Sequence, residues 1–346
     1  MNHEIYIQRC LELAQNGLGS TYPNPMVGSV IVHRGKIIGE GWHQKAGEPH
    51  AEVNAINSVK NKSLLTKSTI YVSLEPCSHF GKTPPCSDLI IQHKIPTVII
   101  GTVDPNDKVA GKGIEKLQKA GIKVTVGVLE KECRELNKRF FTFHTKKRPY
   151  IILKWAESAD GFLSPLNKKE QKPVWITNVY ARQLVHKWRT EEQAILVGTK
   201  TVLDDNPQLN ARDWFGKNPI RIILDRSGKI SEDYAVKKGS QKSIILTEQE
   251  ILTKDENCIY ENLIFGEQLP EKISNLLYQY QIQSVIVEGG RQTLQSFIDD
   301  DLWDEARIFK GNIILHQGTK APILKGEIVV KQKSIKDELI IIKSHD

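Results

Sequence analysis

Between Lys67 and Val128 the chain alternates between short runs rich in β-branched residues and stretches with helical periodicity. KSTIYVSLEP (67–76), PTVIIGT (96–102) and IKVTVGV (122–128) read as strands, with PPCSDLIIQHK (84–94) and GKGIEKLQKAG (111–121) as helices between them. Strands that alternate with helices must bury both faces of a parallel sheet, so this pattern confines the region to an α/β fold. Upstream, MVGSVIVHRGKIIGEGWH gives two strands (27–33 and 36–42) joined at Arg34-Gly35, a hairpin signal, and PHAEVNAINSV gives a helix. MNHEIYIQRCLELAQNG opens the chain as an amphipathic helix, and a single basic helix is expected around 130–143.

At 346 residues the chain is too long for one ordinary core, and two domains are expected. HTKKRPY (144–150) is a charged connector ending near a proline, which sets the domains at 1–145 and 149–346. Strand patterns resume at YIILKWA, AILVG, PIRIILD, KSIILT and SVIVEGG, with helices near 178–189 and 291–300. The last thirty residues read as short strands. No apolar run reaches the length of a membrane span, and the first helix lacks the apolar core of a secretion signal, so a cytoplasmic protein is expected. The net charge of +7 raises the question of nucleic acid, but the lysines are scattered rather than gathered into a basic block. A phosphorylated small molecule suits such a surface equally well.

Five cysteines, an odd number and widely spaced, make a poor disulfide framework. His50-Ala51-Glu52 opens one helix, Pro76-Cys77 follows a strand, and Cys86 begins another helix after Pro84-Pro85. One histidine and two cysteines form a catalytic zinc set with its fourth position left for water. A helix N-terminus favours the thiolate of Cys86. Glu52, two residues from the histidine, is not a ligand and is free to carry protons, as in zinc deaminases. The departure lies between the cysteines, where residues 78–85 replace the two-residue spacer of nucleic-acid deaminases.

With TYPNPMVGSVIV (21–32) and GWHQKAGEPHAE (41–52), the stretch SLEPCSHFGKTPPCSD resembles the deaminase half of the bifunctional riboflavin-biosynthesis deaminase–reductase family. The resemblance implies a cytidine-deaminase-like fold and hydrolytic removal of the 2-amino group of 2,5-diamino-6-(5-phosphoribosylamino)pyrimidin-4(3H)-one. It implies that Asn24, His43, His79 and Lys82 line the substrate pocket.

The second half has no G-x-G-x-x-G after a strand, and its own patterning does not announce a dehydrogenase. SVIVEGGRQTLQSF (284–297) offers only a strand, a double glycine and a helix start, which could admit a phosphate or simply reverse the chain. Here too the family is resembled, in KWAESADGFLS (154–164), VWIT (174–177) and AILVGTKTVLDDNPQLNAR (194–212). A dihydrofolate-reductase-like fold and NADPH-dependent reduction of the ribosyl group of 5-amino-6-(5-phosphoribosylamino)uracil are implied. The implied cofactor contacts are Glu157, Trp175, Thr201, Asp205, Gly290, Arg291, Gln292 and Thr293. The implied substrate contacts are Arg189, Leu209, Arg212 and Glu288, with the two arginines as a fork for phosphate. Lys154 and Asp205 are the polar groups for proton delivery. Pro173 stands where the family carries a substrate-binding serine, and Asn210 where it carries threonine. A homo-oligomer with Zn2+ and NADPH, no nucleic acid and no membrane is expected. The competing expectation is a zinc deaminase of nucleotides or RNA whose second domain is not a reductase.

Overall fold

The computed structural model describes residues 2–78, 84–106, 110–167, 170–251 and 256–345. The chain divides into two units, Met1–Lys147 and Arg148–Asp346.

In the first unit, α1 (His3–Gln15) starts at Asn2, whose side chain accepts a hydrogen bond from the Glu4 amide. β1 (Gly28–His33) and β2 (Lys36–Trp42) form the expected hairpin. Its turn residues Arg34 and Gly35 both have positive φ, at 49° and 78°, which matches the strand twist. Then come α2 (Ala51–Ser58), a short 3-10 turn, β3 (Thr69–Leu74), α3 (Cys86–Gln92), β4 (Thr97–Thr102), α4 (Lys112–Lys119) and β5 (Lys123–Val126). The described strands order as β2-β1-β3-β4-β5, antiparallel around β1 and parallel from β3 onward. Successive strand residues serve opposite faces. Ile31, Ile70, Val72, Val98 and Ile100 meet Ala55 of α2, Ile90 of α3 and Leu117 of α4. Val30, Tyr71 and Ile99 meet Ile7, Cys10 and Leu11 of α1 and, beyond β5, Cys133. Gly28 is where α1 crosses the sheet, and a Cβ there would lie 2.0 Å from the Cys10 carbonyl oxygen.

The helix expected over 130–143 is two helices, α5 (Glu130–Leu136) and α6 (Lys138–Lys146). Asn137 breaks them because its side chain is engaged elsewhere. The amide accepts from the Met26 N–H and donates to the Met26 carbonyl, both at 2.8 Å.

The second unit contains β6 (Tyr150–Glu157), β7 (Phe162–Pro165), α7 (Val179–Glu191), β8 (Ala194–Gly198), α8 (Thr199–Asp205), β9 (Ile220–Leu224) and β10 (Ser243–Thr247). It continues with β11 (Cys258–Asn262), α9 (Leu269–Gln279), β12 (Ser284–Val287), α10 (Arg291–Asp299), β13 (Glu305–Lys310), β14 (Gly318–Lys320), β15 (Glu327–Ser334) and β16 (Asp337–Lys343). Its large sheet runs β11-β10-β9-β8-β12-β6-β13-β16-β15, parallel up to β13 and antiparallel beyond. The central strands are buried on both faces, as their unbroken apolar runs require. α9 and α10 cover one face through Ile273, Leu277, Leu294 and Phe297, while Ala181, Val185 and Trp188 of α7 cover the other. The sequence does not announce α8, β11, α9 or the short β7. The first follows β8 with no turn residue beyond Gly198, and β11 is a half-exposed edge strand.

Candidate functional site

Three elements of the first unit deliver the zinc set. His50 caps the N-terminus of α2 in an extended conformation, Cys77 lies three residues past β3, and Cys86 is the first residue of α3. The His50 Nδ1 lies 3.6 Å from the Cys77 Sγ and 3.4 Å from the Cys86 Sγ. Tetrahedral zinc with ordinary Zn–S and Zn–N bonds places such atoms about 3.6 Å apart, so the donor set fits the metal. These ligand atoms all lie within 4.8 Å of one another.

Hydrogen bonding with Cys86, and with His50 after it, holds the Cys77 thiol down to about 4, and the thiolate is the form that ligates zinc. Its sulfur also accepts from the Cys86 backbone N–H at 3.3 Å. Cys77 in turn pushes the Cys86 thiol up. Glu52 is 3% exposed, and burial raises its carboxyl to about 7, where a group can both take and give a proton near neutral pH.

Glu75 was not singled out from the sequence, although a glutamate at the end of a buried strand, two residues before Cys77, was a usable signal. Its buried carboxylate accepts from the backbone N–H groups of Gly111 and Gly113 at 2.9 Å and Ile114 at 3.2 Å. It thereby ties the start of α4 to the strand that carries Cys77. Asn24 and His43 meet on the other side of His50. The Asn24 Nδ2 lies 3.0 Å from the His43 Nε2, and the His43 ring packs edge-on to that of His50 at 5.3 Å. Burial lowers the His43 pKa. His79 and Lys82 lie outside the described residues.

In the second unit, a cavity of about 1480 Å³ opens at the carboxyl ends of the parallel strands. Lys154, Pro173, Trp175, Arg189, Thr201, Asp205, Leu209, Arg212, Glu288 and the 290–293 turn all line it. Glu157 is not among the lining residues; its carboxylate accepts from the Trp155 indole N–H at 2.9 Å. The β8–α8 and β12–α10 turns run against each other, with the Gly198 N–H donating to the Gly289 carbonyl at 2.9 Å. A Cβ on Gly198 would lie 2.9 Å from the Thr293 Oγ1, so glycine is what lets these turns approach. Trp175 is half exposed at the mouth with the Arg182 guanidinium 4.2 Å from its ring centroid, a contact the sequence did not suggest.

Both arginines of the expected fork line the cavity. Arg189 closes on Glu288, with Nε donating to Oε1 at 3.2 Å and Nη2 to Oε2 at 2.8 Å, while Nη1 donates to the Asn210 carbonyl. Arg212 donates to the Asn210 Oδ1 instead. The Lys154 Nζ stands 4.0 Å from Glu288. Burial opposes ionisation of Glu288, but Arg189 and Lys154 outweigh it and hold the carboxyl at about 2. Burial lowers the Lys154 pKa despite Glu288. An open cavity, an exposed indole and closely apposed glycine turns fit a nicotinamide dinucleotide, without the usual glycine fingerprint.

Two family models match the chain: the cytidine and deoxycytidylate deaminase zinc-binding region over residues 1–102, and the RibD C-terminal domain over 149–339. The riboflavin biosynthesis protein RibD of Aquifex aeolicus is 42% identical over 323 residues, covering 90% of this chain and 88% of its own. That of Bacillus amyloliquefaciens is 39% identical over 342 residues, covering 96% and 90%. Among solved structures, the Thermotoga maritima diaminohydroxyphosphoribosylaminopyrimidine deaminase/5-amino-6-(5-phosphoribosylamino)uracil reductase superposes with a TM-score of 0.89 at 38% identity, covering 99% of both chains. Acinetobacter baumannii RibD superposes at 0.90 with 32% identity, again over 99% of both. The match over 149–339 and the deaminase/reductase structure that spans both units do not favour the competing expectation of a second domain that is not a reductase. Among the described residues no helix is long and apolar enough to cross a membrane.

Proposed function

Because the chain belongs to the RibD family of riboflavin biosynthesis, we propose that its two units divide two consecutive reactions between the sites just described. The enzyme is a zinc-dependent deaminase and an NADPH-dependent reductase. It removes the 2-amino group of 2,5-diamino-6-(5-phosphoribosylamino)pyrimidin-4(3H)-one, then reduces the ribosyl group of the resulting uracil to ribityl. The first reaction is assigned to residues 1–145 and the second to 149–346.

His50, Cys77 and Cys86 hold the zinc, which supplies Lewis-acid activation of water when bound. Glu52 takes the proton from the attacking water and passes it to the departing amine, a transfer that its carboxyl at about 7 allows in both directions. The observation that carries the reading is the spacing of one imidazole and two thiols at 3.4 and 3.6 Å beside this buried acid. Asn24, His43, His79 and Lys82 are assigned to the substrate side of this site.

In the second unit, Trp175, Thr201, Asp205, Gly290, Arg291, Gln292 and Thr293 are assigned to NADPH, which supplies the hydride. Glu157 is assigned to the cofactor too, although its carboxylate is turned to the Trp155 indole N–H. Arg189, Leu209, Arg212 and Glu288 are assigned to the substrate, with Arg189 paired to the Glu288 carboxylate. Lys154 and Asp205 are the groups placed to deliver the proton that accompanies the hydride.

The substrate is a small phosphorylated pyrimidine rather than nucleic acid. None of the five cysteines is in a disulfide, which suits a reducing, cytoplasmic setting. The open edge of β15, with Ile328 and Val330 exposed, supports a homo-oligomer, which light scattering tests. The assignment as a whole is tested by supplying the diamino pyrimidine with and without NADPH. Ammonia must appear in both cases, and NADPH must be consumed only once the deaminated product has formed. NADPH consumption without deamination would break the order.

A further inference from the structure

We propose that His186 is a positioning residue of the reductase: it holds the Asp213 carboxylate against α7 and so keeps the neighbouring Arg212 at the cavity with its charge left for an anion. The inference rests on the reading that assigns Arg212 to the substrate of the second unit. Residues 212–218 are exposed one after another, so this loop has no core of its own and the scaffold beneath it sets its place. That scaffold is α7. His186, Arg189 and Thr190 are spaced so that they share one face of the helix. The Arg189 Nη1 donates to the Asn210 carbonyl at 3.1 Å where the loop begins. At Gly216 the backbone comes so close to α7 that a Cβ would lie 2.6 Å from the Thr190 Cβ. Between those two supports the His186 Nε2 reaches the Asp213 Oδ2 at 3.2 Å.

A carboxylate can only accept, so the His186 Nε2 carries the proton of that bond. The ring is 4% exposed, and its Nδ1 is buried with no hydrogen-bond partner among the described residues. A second proton there would be an orphaned buried donor, so the imidazole stays neutral. The surrounding charges agree. Burial and then Arg189 lower the ring to about 4, Arg212 acts with them, and Asp213 and Glu288 oppose without prevailing. The ring lines the cavity, yet one nitrogen is spent on Asp213 and the other is shut in, so its effect passes through the loop. With Asp213 turned to α7, Arg212 donates to the uncharged Asn210 Oδ1 at 3.1 Å, and among the described residues no carboxylate pairs with it. An untethered Asp213 would instead stand beside Arg212 as an anion competing with the ligand.

The test uses the full-length chain and follows NADPH oxidation on the deaminated substrate for H186A, D213A, their pair, H186Q and R212A. H186A is expected to raise the KM for that substrate by about tenfold, the worth of one charge-assisted hydrogen bond, with kcat and the KM for NADPH little changed. D213A should raise it less, because it removes the competing anion together with the tether. The pair should match D213A, since without Asp213 the ring has nothing to hold. H186Q, whose amide N–H can donate where Nε2 did, should recover most of the loss. Asp213 is half exposed, so D213A tests the tether without opening a buried site, and its thermal unfolding should be unchanged. R212A should exceed every other variant in KM. A KM for NADPH that rises in step, or losses that multiply in the pair, would overturn the positioning role. A raised KM in R212A beside unaltered values in H186A and D213A would sink the tether alone. An unaltered KM in R212A would overturn the substrate assignment of Arg212 and this inference with it.

Discussion

Each unit buries a glutamate at its site, and the two carboxyls are driven in opposite directions. Glu52 of the first unit is enclosed, burial outweighs the opposing charge of His50, and the carboxyl rises to about 7. Glu288 of the second is equally enclosed but gripped by Arg189 and faced by Lys154, and falls to about 2. Burial acts alike on both, so the neighbours decide the sign. A carboxyl near 7 exchanges protons at physiological pH and suits a carrier. A carboxyl near 2 stays charged throughout and suits a fixed electrostatic support for a ligand. Identical side chains therefore serve different chemistry, and the difference lies in which cations the fold brings to them.

The same Glu→Gln change should separate the two roles. E52Q is expected to lower ammonia release by about a thousandfold while zinc content, thermal unfolding and NADPH oxidation on the deaminated substrate stay near their original values. An E52Q enzyme that still released ammonia at the original rate would remove the distinction altogether. E288Q should instead act on the fold, because it leaves Arg189 and Lys154 buried without their anion. We expect a loss of roughly 3–5 kcal/mol in the stability of the second unit, read by urea unfolding, with deamination untouched.

A change of pH probes the same contrast without mutation. The Glu288 carboxyl falls from an ordinary 4.5 to about 2, so its contribution is complete above about 4.5 and is lost as pH falls through about 2. On the order of 3 kcal/mol should leave the second unit over that window, and the loss should vanish in E288Q. Equal acid sensitivity of both proteins would show that the ion pair contributes nothing. The smallest effect is expected at Pro173, which lines the reductase cavity and where the sequence resemblance implies a substrate-binding serine. P173S restores a hydroxyl and should lower the substrate KM by about fivefold, close to one hydrogen bond of about 1 kcal/mol. An unchanged KM would place the phosphate away from this segment.

Much of this architecture could be read from the residues. Apolar runs with period two and amphipathic stretches with period 3.6 marked β1 to β5 and most of the second unit's central strands, because burial on both sheet faces demands them. The helix expected over 130–143 was misread, since nothing in its periodicity reveals that the Asn137 amide is needed by the Met26 backbone. α9 was missed altogether. The ligand trio was legible because a histidine and two cysteines at strand and helix ends carry unusual chemistry in unusual order.

The sequence by itself determined the donor types, the strand–helix order that brings them to one sheet end, and the acid two residues from the histidine. Tertiary structure alone decided how charge and hydrogen bonds are shared among them. The Cys77 sulfur accepts from the Cys86 backbone N–H because the start of α3 is brought against it. Arg189 grips Glu288 because α7 and the end of β12 set them 2.8 Å apart. Those outcomes depend on distances of a few ångströms between elements far apart in the chain, and Coulomb and hydrogen-bond energies change steeply over that range.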